Sequence, residues 1–324
     1  MKHEAKEYSI MISPPGLISY EPVERYEEEL LNIWIQASNI FASFDFVYEN
    51  SRITIKTNWR EIKDQFKYSI DNPGDLILSV SGTYEYLEEL SEFFLIRFLE
   101  MMFITMNISV PGSLNLYNTE IKKIEELSNP YWKNWPVSLS SGPFEMFWET
   151  HEHSRWPEID FVPLRKVVDW YKSLDILLTQ RASSNIERCF FSFINYCQGN
   201  VFSPADFIWI AHSLEALYDT PKEGIAMSLR KRIFLFLDTP DTHGKQLRRK
   251  IDDLYALRSA FVHGTMKIAR IPFFENLDQE LEEYMIRIHD LSDFGIMILL
   301  ATVQKMINQN AKELVFYEKY ETRP

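Results

Sequence analysis

From Pro163 almost to its end the chain repeats apolar residues at helical spacing, and this constrains the fold more than any other feature. Six helices are predicted, over 164–182, 186–197, 204–218, 224–237, 245–263 and 277–309. The third has a clear start, with Ser203 as N-cap, Pro204 at the first helical position and Asp206 in the first turn. The last contains Gly295, where a bend is expected. Six helical segments in succession predict an all-α bundle.

The first 128 residues alternate differently. Strands are predicted at 8–12, 75–81 and 113–117, and helices at 24–42, 59–70 and 84–106. A hairpin is expected where 44–48 and 52–57 flank Glu49-Asn50-Ser51. The fold class is therefore α+β overall: a mixed α/β domain over 1–128, then a helical domain over 159–324. Between them, residues 129–158 hold four of the eight tryptophans (Trp132, Trp135, Trp148, Trp156), so they are read as a connector packed along the domain junction.

Composition bounds the setting. Cys189 and Cys197 fall on one predicted helix, about 12 Å apart at 1.5 Å per residue, too far for a disulfide. That spacing predicts a reducing, cytoplasmic compartment. The two most apolar runs, 93–106 and 286–303, are interrupted by Arg97 and Glu100 and by Asp290 and Asp293, so no membrane span is expected, and the opening residues carry no apolar signal region. His151 and His153 could share a metal on a strand, but nothing of recognisable spacing completes a set, so no metal and no cofactor are expected.

The net charge of −13 argues against indiscriminate binding to polyanions. Residues 221–250 run against that balance, with eight basic side chains to three acids. Arg230, Lys231, Arg232, Lys245, Arg248, Arg249 and Lys250 lead straight into the stretch Leu254-Tyr255-Ala256-Leu257-Arg258-Ser259-Ala260-Phe261-Val262-His263-Gly264. That stretch reads as the end of a helix closed by a left-handed glycine. With Leu247 at zero, Ile251, Leu254, Leu257, Phe261 and Val262 fall within about 80° of it, and Arg258 falls at about 20°, inside the apolar stripe. A guanidinium aimed at a core needs a carboxylate or a phosphate. Glu215, at the edge of the stripe formed by Phe207, Ile210, Ala211, Leu214, Leu217 and Tyr218, is the expected partner. His263 lies about 140° round from Arg258, on the rim.

Arg258-x4-His263 followed by Gly264 and preceded by Leu-Tyr-Ala-Leu, with Leu214-Glu215-Ala216-Leu217 upstream, resembles the Arg-x4–6-His signature of the HEPN superfamily, in its Apea-like branch. The resemblance covers about 160–310. It implies a dimeric, metal-independent ribonuclease in which the RNA 2′-hydroxyl attacks and a 2′,3′-cyclic phosphate is left. His263 would then move the proton, and Arg258 would hold the scissile phosphate. Ser259 would orient the phosphate or His263, with Glu215 and Tyr255 supporting and the basic run as RNA approach. The implied partners are RNA, transfer RNA among the candidates, and a second copy of the chain. Two other classes stay open: a HEPN-like binding or dimerisation module without catalysis, and an α/β domain that is itself the enzyme. The α/β domain contains no histidine beyond His3 and no cysteine, which gives that class no support while leaving acid-based chemistry open.

Overall fold

The structure is a computed structural model that describes residues 3–12, 24–59, 74–124, 135–145, 156–198, 206–268 and 279–317. They fall into two compact units, Met1–Glu145 with Asp160–Gln180, and Met146–Ile159 with Arg181–Pro324.

The first unit is built on strands that bury every second residue. β1 (His3–Ile12) buries Tyr8, Ile10 and Ile12, and β4 (Gly74–Gly82) buries Leu76, Leu78 and Val80. β2 (Ser43–Tyr48) and β3 (Ser51–Thr57) form the hairpin, closed by Glu49 and Asn50 at φ +46° and +63°. Two consecutive positive φ values make the type I′ turn that matches strand twist. With β5 (Leu116–Lys123) and β6 (Trp135–Leu139) these strands form one antiparallel sheet of order β2-β3-β4-β1-β5-β6.

Two helices back that sheet. α1 (Glu24–Ile40) turns Ile33, Trp34 and Ala37 inward. α2 (Leu87–Ser109) is buried without interruption from Phe98 to Ser109, which explains its lack of a polar face over that span. Its charged pair is internal: Arg97 Nη1 donates to Glu100 Oε2 at 2.6 Å, and burial pushes the Glu100 carboxyl above its ordinary range. No described helix is long and apolar enough to cross a membrane.

The architecture differs from the sequence-based expectation in three places. The strand expected over 113–117 lies at 116–123, with a bulge between Leu116 and Thr119 beside Asn118 at φ +55°. The expected connector contributes β6, an edge strand. Pro136 is tolerated there because an edge strand can spare one N–H. After a short α3 (Gly142–Glu145), α4 (Leu164–Ser173) packs on α1 and α2. Leu164 N–H donates to Gln36 Oε1 at 2.9 Å, so the first of the six expected helices belongs to the sheet-bearing unit. The helix expected at 59–70 lies, beyond Trp59, outside the described residues, as do Ser203 and Pro204.

The second unit is helical: α5 (Asn185–Gln198), α6 (Asp206–Leu217), α7 (Ile225–Phe236), α8 (Asp241–Val262) and α9 (Gln279–Gln309). α6 is central, packed against α5, α8 and α9, with Phe207, Ile210, Ala211 and Leu214 fully buried. α9 runs unbroken through Gly295. A Cβ built there would stand 2.3 Å from Ile210 Cγ2, so the glycine marks where α9 approaches α6 closely. Cys189 and Cys197 are buried free thiols.

The start of α5 is held by a capping box that the sequence spells as Ser184-x-x-Glu187. Glu187 Oε2 accepts from the N–H groups of Ser183 and Ser184 at 2.6 and 2.7 Å, and Glu187 N–H donates to Ser184 Oγ at 3.3 Å. Those backbone donors hold the Glu187 carboxyl at about 2, against an ordinary 4.5. A depressed carboxylate stabilises the fold above its unfolded pKa and loses that contribution as pH falls through the folded value. Glu187→Gln should therefore lower stability by about 1 kcal/mol at neutral pH. The difference from the parent should close between pH 4.5 and 2, as read from melting curves across that range.

Candidate functional site

α8 carries the site because its apolar residues repeat on one face. Leu247, Ile251 and Leu254 are fully buried, Leu257 and Phe261 are half-buried, and Phe261 meets Phe207 of α6 edge-on at 6.1 Å. Val262, which the periodicity placed in the same stripe, is 57% exposed because α8 ends there. Gly264 at φ +66° closes the helix, with Gly264 N–H to Phe261 O at 3.1 Å and Thr265 N–H to Ala260 O at 2.9 Å. These paired bonds form a Schellman motif, and they fix His263 as the last residue before the chain turns away.

Arg258 points toward the inner face and meets Glu215 of α6, with Nε 3.5 Å from Oε1. The guanidinium side chain is 31% exposed and the carboxylate 15%, so the pair sits at the border of the core. Nε is buried and makes an ion-pair approach without an aligned hydrogen bond. Glu215 Oε1 is also the acceptor of Tyr255 OH at 2.9 Å. Burial, then the adjacent carboxylate, pushes the Tyr255 phenol well above its ordinary range, so it stays a donor to Glu215. The terminal nitrogens of Arg258 make no hydrogen bond among the described residues.

Ser259 and His263 are exposed, turned away from Arg258 by about 100° and 140° around the axis of α8. Arg258 and His263 are five residues apart, about 140° round and about 7.5 Å along the axis. One chain therefore brings Arg258, Tyr255 and Glu215 together and leaves Ser259 and His263 on another face.

The basic approach is divided. Arg230 Nη1 donates to both Asp252 oxygens at 2.7 Å, Arg249 pairs with Asp253 at 3.8 Å, and Lys250 pairs with Asp290 at 3.5 Å. Arg232 donates to the carbonyls of Tyr218 and Asp219, holding the end of α6, and lies over the Phe316 ring at 4.8 Å. Lys231, Lys245 and Arg248 are exposed, with no ion pair among the described residues. The local surplus is smaller than the run suggests because acids beyond it in sequence pair with it: Asp253 from one turn along α8, Asp252 across to α7, and Asp290 from α9. Pairs of this kind, each with at least one exposed partner, are worth about 1 kcal/mol or less, whereas Arg232 holds the end of α6.

Sequence reasoning gave no signal for one close pair, Ser192 Oγ and His212 Nδ1 at 2.6 Å, which joins α5 to α6. Nor did it single out Asp252 as the carboxylate that engages Arg230. Among the described residues no group of three or more His, Cys, Asp or Glu side chains could hold a metal, and His151 and His153 lie outside them. Among the described residues of the sheet-bearing unit the buried acid is Glu100, already engaged by Arg97. Comparison of the chain with family models, curated proteins and solved structures returns no match in any of the three.

Proposed function

We propose that the helical unit is a metal-independent endoribonuclease of HEPN type, working as a homodimer in the cytoplasm. The observation that carries this reading is the setting of Arg258. Glu215 steadies the guanidinium through Nε, and its two terminal nitrogens are left for a planar, bidentate grip on a phosphate. His263, exposed at the helix end five residues later, is the proton carrier, since an imidazole ring can both accept and donate a proton.

In the proposed reaction the ribose 2′-oxygen attacks the adjacent phosphorus as its proton passes to a base. The bond to the 5′-oxygen of the next nucleotide breaks, and that oxygen takes up a proton. The products are a 2′,3′-cyclic phosphate and a 5′-hydroxyl. His263 handles one or both proton transfers, and Arg258 neutralises charge on the non-bridging oxygens. The divergence of Arg258 and His263 on one helix is the reason for assigning a dimer: His263 of one copy and Arg258 of the other would act on one phosphate. Ser259 orients the phosphate or the imidazole, and Lys231, Lys245 and Arg248 track the RNA backbone.

The proposed role is in stress or anti-phage defence, with the activity restrained in resting cells because a free ribonuclease would harm its host, and with the sheet-bearing unit as sensor or substrate selector. Sequencing of cellular RNA after induced expression tests the reading. Cuts concentrated in one class, such as transfer RNA, and ending in cyclic phosphate are expected. Mixing Arg258→Ala protein with His263→Ala protein should restore part of the activity, because mixed dimers contain one intact composite site. Intact RNA under every activating condition would instead favour a non-catalytic binding module, for which the Arg258–Glu215 pair is a core contact.

A further inference from the structure

At the hairpin end of the sheet three tyrosines meet, two of them against one buried ring. Tyr48 closes β2, Tyr84 lies in the turn after β4, and Tyr86 is the N-cap residue of α2. The Tyr84 ring stands 5.1 Å from Tyr48 at an interplanar angle of 84°, and 6.0 Å from Tyr86 at 65°. Phe94, fully buried, forms the floor, 5.2 Å from Tyr48 and 6.4 Å from Tyr84. The rings meet edge to face rather than in a flat stack, which leaves ring faces angled toward one another, and Tyr86 remains 54% exposed.

Carboxylates flank the rings. Tyr84 OH donates to Glu49 Oε2 at 3.1 Å, which fixes that carboxylate beside the rings. Glu49 occupies a left-handed position, φ +46°, that Asn, Asp or Gly fills at lower cost. Glu85 and Glu89 are exposed on the same turn and the first turn of α2, and like Glu49 carry no ion pair among the described residues. The nearby cations are engaged: Arg52 by Asp45, Lys6 by Glu88 and Arg97 by Glu100. Aromatic faces present negative quadrupole, so angled phenol rings with an uncompensated carboxylate at the rim suit a weakly hydrated organic cation.

We propose that Tyr48, Tyr84, Tyr86 and Glu49 form a binding site for an alkylated ammonium group. This chemistry occurs in a methylated lysine side chain and in a free choline-like ammonium. The site lies in the sheet-bearing unit and stands whether or not the helical unit cuts RNA.

The test is calorimetric titration of the full chain with choline and, separately, with its neutral isostere 3,3-dimethylbutan-1-ol. Saturable binding of choline is expected, with the neutral compound weaker by about tenfold or more. Tyr86→Ala and Glu49→Gln, both at exposed side chains, should each weaken choline several-fold without lowering the melting temperature, while Tyr117→Ala on β5 should leave binding unchanged. A trimethyl-lysine peptide that binds more tightly than choline would name a protein side chain as the source, and equal binding would name the free ammonium. No binding of choline at millimolar concentration to the folded chain, equal binding of the neutral isostere, or binding untouched by both variants would overturn the proposal.

Discussion

Gly295→Ala is expected to destabilise the helical unit by about 1–3 kcal/mol, although alanine is the better helix former by about 1 kcal/mol. The new methyl carbon would stand 2.3 Å from Ile210 Cγ2, and Leu214 Cδ1 lies 4.0 Å away on the same face of α6. Ile210 and Leu214 are both fully buried, so neither side chain has open space to retreat into. The helices must part instead, and the contact that positions Glu215 one residue beyond Leu214 parts with them. Pairing the change with Ile210→Ala separates crowding from other causes. The double variant should be less destabilised than the sum of the two single ones, because the cavity left by Ile210 accepts the new methyl. Additive melting-curve losses would mean that Gly295 serves something other than close approach.

The second large effect is at Arg258. Arg258→Ala should abolish RNA cleavage and also lower stability by about 1–3 kcal/mol, because Glu215 is left partly buried with only the Tyr255 hydroxyl. Arg258→Lys should retain most of the stability, since an ammonium can still reach Glu215. It should lose most of the activity, since an ammonium cannot make a bidentate grip on phosphate. The two readouts thus separate: stability follows the charge facing Glu215, and cleavage follows the planar fork. A binding module without catalysis would show the stability losses and no cleavage in any variant, the parent included.

How much of this is legible in the sequence depends on whether a residue's role is set locally. Helices α5 to α8 are legible because each buries one face and the periodicity of that face is written in the chain, whereas α9 is legible as a long apolar run, buried on every side from Leu291 to Gln304. The helix end at Gly264 is equally local, a left-handed position that glycine fills. Arg258 inside the apolar stripe of α8 demands a carboxylate, and Glu215 at the border of the α6 stripe is where one can stand; the two meet at 3.5 Å. The packing of α4 on α1 and α2 is not legible, because its amphipathic face, Leu164, Val167, Val168 and Tyr171, would suit either unit. Strand β6 is five residues long with a proline in it, and its strand character comes from pairing with β5 rather than from its own propensity. In the basic run Arg249 and Asp253 stand one turn apart on α8 and are legible as a pair, but only tertiary contact brings Asp252 to Arg230 and Asp290 to Lys250.

The most direct measurement on the central claim is RNA cleavage by His263→Ala protein beside the parent, with melting curves on both. His263 is exposed at the end of α8, and its backbone N–H bond to Ser259 O at 3.0 Å survives the substitution. Stability should therefore change by less than about 1 kcal/mol. The account predicts that cleavage is lost while the fold is kept. A His263→Ala protein that cuts RNA as fast as the parent would contradict it.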